Sequence, residues 1–152
     1  MSDDLRDLYQ EVILDHNRRP RNFGALPEAN RTAEGNNPLC GDRITVYLRV
    51  ADGRVQDISF QGAGCAISTA SASLMTEALR GKTVEEAHAL FHGFHALVVR
   101  GERGRGGDLE DLDKLAVFEG VREFPIRVKC ATLAWHTFEA ALQQQDQPVS
   151  TE

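Results

Sequence analysis

Leu5, Leu8, Tyr9, Val12 and Ile13 recur at i, i+3, i+4, i+7 and i+8, an apolar stripe of helical period. It predicts a first helix over about residues 4–17, with Asp3 and Asp4 favouring its positive N-terminal end. Pro20 cannot continue that helix, and Gly35-Asn36-Asn37-Pro38 reads as a second turn-rich stretch, so the chain is expected to reach Cys40 as loop. From Ile44 the period changes to two. Ile44, Val46, Leu48 and Val50 alternate with polar residues, Asp52-Gly53 supplies a hairpin turn, and Arg54 to Gln61 returns as the second strand. Val55 is out of phase with Ile58 and Phe60, which demands either a bulge near Gln56-Asp57 or an outward-facing Val55.

After Gly62-Ala63-Gly64 the residues become small and the period helical, with Ile67, Ala70, Ser71, Leu74 and Ala78 on one face, Cys65 at the start and Gly81 as the stop. Thr83 and Glu86 form a capping box for a short helix towards Phe91. A further helix is predicted over residues 109–118. The last, over about 128–144, turns Ala131, Ala134, Phe138, Ala141 and Leu142 inward and puts Cys130 near its start. Between them Arg100 to Gly107 is too rich in glycine and charge to pack, so a mobile surface loop is expected there. The polar tail over about 144–152 is expected to fray. One hairpin followed by several helices is the order of an α+β domain, with helices packed on one face of a small antiparallel sheet. Nothing in the composition divides residues 1–152, so one domain is expected.

Charge narrows the partners. With 23 acidic against 17 basic residues and a net charge of -6, the chain lacks the basic stripe of a nucleic-acid binder. Met1-Ser2-Asp3-Asp4 has neither the basic nor the apolar region of a secretory signal, and no apolar run approaches the roughly 20 residues of a membrane helix. A cytoplasmic location without membrane contact is expected. There the three cysteines stay reduced, and an odd number cannot all pair within one chain in any case.

Cys40, Cys65 and Cys130 contain no C-x-x-C pair, so their settings carry the signal. In Pro38-Leu39-Cys40-Gly41-Asp42 a thiol and a carboxylate two residues apart share a tight loop before a strand, and both can reach one metal. Cys65 and Cys130 near helix N-termini gain thiolate character from the free N–H groups there. Three thiolates and a carboxylate suit tetrahedral Zn²⁺, and the same ligands suit iron–sulfur chemistry. On pattern alone a second reading stays open, that the cysteines are small buried hydrophobes. Arg127 and Lys129 flank Cys130 and either support its thiolate, guide a partner or are ordinary solvated charges. His88, His92 and His95 suggest a second metal site, but an i, i+4 His pair without a carboxylate or Cys partner is a thin ligand set. His16 and His136 read as structural. Gly62-Ala63-Gly64 lacks the further residues of a phosphate-binding loop and reads as a tight turn near the metal.

Four segments carry a resemblance: Leu8-Tyr9-Gln10-Glu11-Val12-Ile13-Leu14-Asp15-His16, Asn37-Pro38-Leu39-Cys40-Gly41-Asp42, Gly62-Ala63-Gly64-Cys65-Ala66-Ile67-Ser68 and Val128-Lys129-Cys130-Ala131-Thr132-Leu133-Ala134-Trp135. In these the chain resembles the IscU/SufU family of iron–sulfur cluster assembly proteins, also found as the N-terminal part of NifU. The resemblance implies an IscU/SufU-like fold with about three strands, and Cys40, Asp42, Cys65 and Cys130 as ligands of one metal. Lys129 stands where IscU-type scaffolds carry a His, Phe124-Pro125-Ile126-Arg127-Val128-Lys129 departs from their Leu-Pro-Pro-Val-Lys motif, and residues 94–112 resemble an insertion of the SufU branch. The SufU branch implies a zinc-dependent sulfurtransferase, not an independent hydrolase or oxidoreductase. It would take persulfide sulfur on Cys40 from a SufS-type, pyridoxal-phosphate-dependent cysteine desulfurase and pass it to a SufBCD-type scaffold, with a His from the desulfurase displacing Cys40 from the metal. The alternative within the family is an IscU-like scaffold carrying a [2Fe-2S] cluster.

Overall fold

The computed structural model describes residues 3–38, 41–100, 115–143 and 149–150. Its elements are α1 (Asp3–Arg18), β1 (Arg31–Asn37), β2 (Asp42–Ala51), β3 (Arg54–Ala63), α2 (Ala66–Leu79), α3 (Val84–Arg100), a 3-10 helix (Ala116–Glu123), α4 (Pro125–Leu142) and β4 (Val149–Ser150). The sheet order is β3-β2-β1-β4. The first three strands are antiparallel and the two-residue β4 runs parallel to β1. This is the expected α+β arrangement.

Alternation along β2 turns Asp42, Ile44, Val46 and Leu48 inward and leaves Arg43, Thr45, Tyr47 and Arg49 on the opposite, more open face. Helix α4 covers this inward row, and α2 packs on the neighbouring β3. Asp42 therefore points to the same side of the sheet as the hydrophobic core, a consequence of its even spacing from Ile44. The phase conflict in β3 resolves as a bulge: Arg49 pairs with Asp57 and Val50 with Val55, so Gln56 is the extra residue and Val55 is fully buried beside Ile58.

Several expectations are corrected. The stretch expected as loop before Cys40 contains β1, whose inward positions are Ala33, Gly35 and Asn37. They are small because α4 lies against them: a Cβ on Gly35 would overlap Thr137 Oγ1 and come 3.1 Å from Leu133 Cδ1. The capping box forms as predicted, Thr83 N donating to Glu86 Oε1 and Glu86 N to Thr83 Oγ1, both at 3.0 Å. The helix it starts is long, not short, because Leu90, Phe94, Leu97 and Val98 keep an apolar stripe running past Gly93. Residues 94–100 of the expected insertion are thus packed helix, while the glycine-rich remainder lies outside the described residues. So does most of the helix expected over 109–118; Ala116–Glu123 is 3-10. The last helix starts at Pro125, three residues early, with proline at its first position where no N–H is required. Within the tail, Val149–Ser150 joins the sheet as β4.

Trp135 anchors the core. Its ring stacks on Phe94 at 4.5 Å between centroids, Phe118 meets Phe94 edge-on, and its indole N–H donates to Ser71 Oγ at 3.2 Å. The Ala/Ser-rich α2 lets the helices approach closely enough for these contacts.

Three partly or largely buried imidazoles link the fold to pH. His16 Nδ1 sits 2.7 Å from Ser73 Oγ; burial and then Arg21 push its pKa down, against a weaker upward pull from Glu77 and Asp15. Burial likewise lowers His136, helped by His95 and opposed by Glu139, and lowers His95, helped by Arg100 and His92. The unfolded chain protonates these rings near about pH 6.5 and the folded chain only below that. The unfolded state therefore binds more protons in that window, and stability present above about pH 6.5 is lost as pH falls through the folded values. The melting temperature is expected to drop between about pH 7 and pH 5. A flat profile across that range would refute the assignment.

Candidate metal centre

Three elements converge at one end of the sheet. β2 contributes Asp42, only 1% exposed and paired in register with Asn37. β3 ends at Ala63 and the chain turns through Gly64 into α2, for which Cys65 is the N-cap: its Sγ accepts the Ser68 N–H at 3.4 Å. The Cys65 N–H in turn donates to Asp42 Oδ1 at 2.9 Å, and Cys65 Sγ stands 3.9 Å from Asp42 Oδ2. α4 brings in Cys130, fully buried. One ligand atom from each of Asp42, Cys65 and Cys130 lies within 4.8 Å of the others.

Gly64 makes this approach possible, since a Cβ there would stand 2.6 Å from Asp42 Oδ1. The sequence showed only a tight turn; the function of its third residue, leaving room for the carboxylate, needed the pairing of β2 with β3. Cys65 holds the predicted helix-start position. Cys130 does not: with α4 beginning at Pro125 it is the sixth helical residue, beyond the free N–H groups that would favour a thiolate. Its position is set by packing instead. Arg127 is exposed and Lys129 half-buried, in the first turns of α4. Leu39 and Cys40 lie outside the described residues; on either side of them Gly41 N–H donates to Asn37 O at 2.8 Å, closing the turn from β1 to β2.

A buried carboxylate is costly unless paired. Among the described residues no Lys, Arg or His side chain lies within ion-pair distance of Asp42. Its company is a backbone N–H and two sulfurs, a donor set that calls for a cation. Two soft thiols and a hard carboxylate together fit the borderline Zn²⁺ ion, leaving a fourth position for another ligand.

The family model for the NifU-like N terminal domain matches residues 8–131. The chain belongs to this family. Members similar to this NifU-like domain carry two kinds of name. The zinc-dependent sulfurtransferase SufU of Bacillus subtilis is 40% identical over 142 residues, covering 93% of this chain and 94% of that protein. The iron–sulfur cluster assembly scaffold protein IscU of Streptococcus pyogenes is 41% identical over 140 residues, covering 92% and 86%. Among solved structures, the N-terminal part of a nitrogen-fixing NifU-like protein from Brucella abortus superposes with a TM-score of 0.81 at 26% identity, covering 92% of this chain and 95% of that one. The resemblance carried by the cysteine-bearing segments is therefore a family relationship, within iron–sulfur cluster assembly. No helix among the described residues is long and apolar enough to cross a membrane.

Proposed function

We propose that this NifU-like domain is a zinc-dependent sulfur carrier: Cys40 accepts persulfide sulfur from a SufS-type cysteine desulfurase and delivers it to a SufBCD-type scaffold. The observation that carries the reading is the triad of buried Asp42, half-buried Cys65 and buried Cys130, three donors within 4.8 Å. The similarity to a zinc-dependent sulfurtransferase supports it. Asp42, Cys65, Cys130 and Cys40 would hold the ion, and zinc when bound keeps thiols deprotonated at neutral pH.

Cys40 is two residues from Asp42, a reach of at most about 7 Å along the chain. It follows Pro38 and precedes Gly41, whose φ of +73° suits glycine. The other two thiols are tied to helices, so Cys40 is the sulfur best able to leave the ion and meet a partner. Its thiolate attacks the terminal sulfur of the desulfurase persulfide. A new S–S bond forms on Cys40, the donor S–S bond breaks, and the electron pair leaves on the desulfurase cysteine, with no net oxidation.

Cys40→Ala is expected to abolish stimulation of desulfurase turnover and the appearance of a persulfide on this chain, read by alkylation and mass spectrometry. Undiminished sulfur acceptance in that variant would overturn the reading. The similarity to IscU favours a second reading, a scaffold for a [2Fe-2S] cluster. Brown protein with labile sulfide after anaerobic purification with iron and sulfide would select it.

A further inference from the structure

The histidines of α3 acquire in the fold the partner they lack in the sequence. His88 and His92 are four residues apart and their Nε2 atoms lie 3.0 Å from each other, with both residues at the surface. Glu139 reaches them from α4: its Oε1 is 2.8 Å from His88 Nδ1, its own residue is 9% exposed, and Gln143 Nε2 donates to its other oxygen at 3.2 Å. A carboxylate behind the far nitrogen of an imidazole holds the proton on Nδ1 and leaves the Nε2 lone pair available, here on the side facing His92, which is how metal-binding histidines are oriented. The His88–Glu139 contact thus prepares one ligand, and His92 offers a second by placing its proton on Nδ1.

We propose that His88 and His92 form a second, surface metal site for a divalent ion of tetragonal preference, nickel(II) or copper(II), with Glu139 as the residue that positions His88. Metal–nitrogen bonds of about 2.0–2.1 Å to nitrogens 3.0 Å apart subtend roughly 90–100° at the ion. That is the cis angle of a tetragonal complex and is narrower than a tetrahedral one, and tetragonal sites with nitrogen donors suit copper(II) and nickel(II). Water fills the remaining positions on the exposed side. His95 stacks on Phe91, and His136 meets Phe91 and His95 edge-on. The site shares no residue with the thiolate centre.

The test uses the full chain with its thiolate centre loaded with zinc, titrated with NiCl₂ by calorimetry in a non-coordinating buffer. One saturable event is expected, lost in His88→Ala and in His92→Ala and weakened about 10–100-fold in Glu139→Gln. Paramagnetic broadening of the His88 and His92 ring resonances should accompany it in the wild-type chain. All these variants keep Cys40, Cys65 and Cys130, so any nickel taken up by thiolates appears equally in each and cancels in the comparison. A nickel event undiminished in His92→Ala, or none in the wild-type chain, would overturn the proposal, and neither result bears on sulfur transfer.

Discussion

Gly62→Ala is expected to lower the unfolding free energy by about 3 kcal/mol or more, near the upper end of single-residue effects. Gly62 has φ +150°, and a Cβ there would overlap the carbonyl oxygen of Arg43 and stand 2.9 Å from Ile44 Cα. Both obstacles are backbone of the paired strand, in which Gly62 faces Ile44. No side-chain rotation can relieve them, so β2 and β3 must separate where they deliver Asp42 and Cys65. Gly53→Ala is the control: its φ is +72° but open space surrounds it. It should cost only the left-handed strain of about 1–2 kcal/mol. Urea unfolding of the two variants compares them directly, and equal losses would show that close strand approach at Gly62 contributes nothing.

The same pair of strands shows what a sequence can and cannot announce. The hairpin was legible because Ile44, Val46 and Leu48 alternate cleanly and Asp52-Gly53 permits its turn, Asp52 at φ +56° and Gly53 at φ +72°. Its bulge was legible as a conflict of phase at Val55. β1 was not, because its inward residues are chosen for smallness under α4, and Arg31-Thr32-Ala33-Glu34-Gly35-Asn36-Asn37 carries no apolar alternation to read. α3 runs past Phe91 because burial of Phe94 and Leu97 overrides the low helix propensity of Gly93. The donor residues were identifiable by type and by family resemblance. Their grouping was not, since 23 and 65 residues separate Asp42 from Cys65 and Cys65 from Cys130, and only the fold closes those gaps. Glu139 was missed for the same reason: it lies 51 residues from His88, on another helix.

Zinc retention should divide the four proposed ligands into two classes. Cys65→Ala and Cys130→Ala are expected to be purified nearly free of zinc, whereas Cys40→Ala keeps close to one ion per chain. Asp42, Cys65 and Cys130 are fixed by a paired strand, a helix cap and the body of α4, so their donors stay within 4.8 Å whatever the turn between β1 and β2 does. Three such protein ligands and one exchangeable position are enough for zinc in catalytic sites; two leave most of the coordination to water. Filling a site at about 1,000 times its Kd adds roughly 4 kcal/mol to folded-state stability. For a domain of this size that corresponds to a zinc-dependent rise in melting temperature of roughly 8–16 °C. The rise should persist in Cys40→Ala and vanish in Cys130→Ala, and because each variant is compared with itself plus and minus zinc, the small cavity left by the lost sulfur drops out. If Cys40→Ala instead loses zinc as completely as Cys130→Ala, Cys40 is a holding ligand. The thiol that carries sulfur would then have to come from the helix-bound pair.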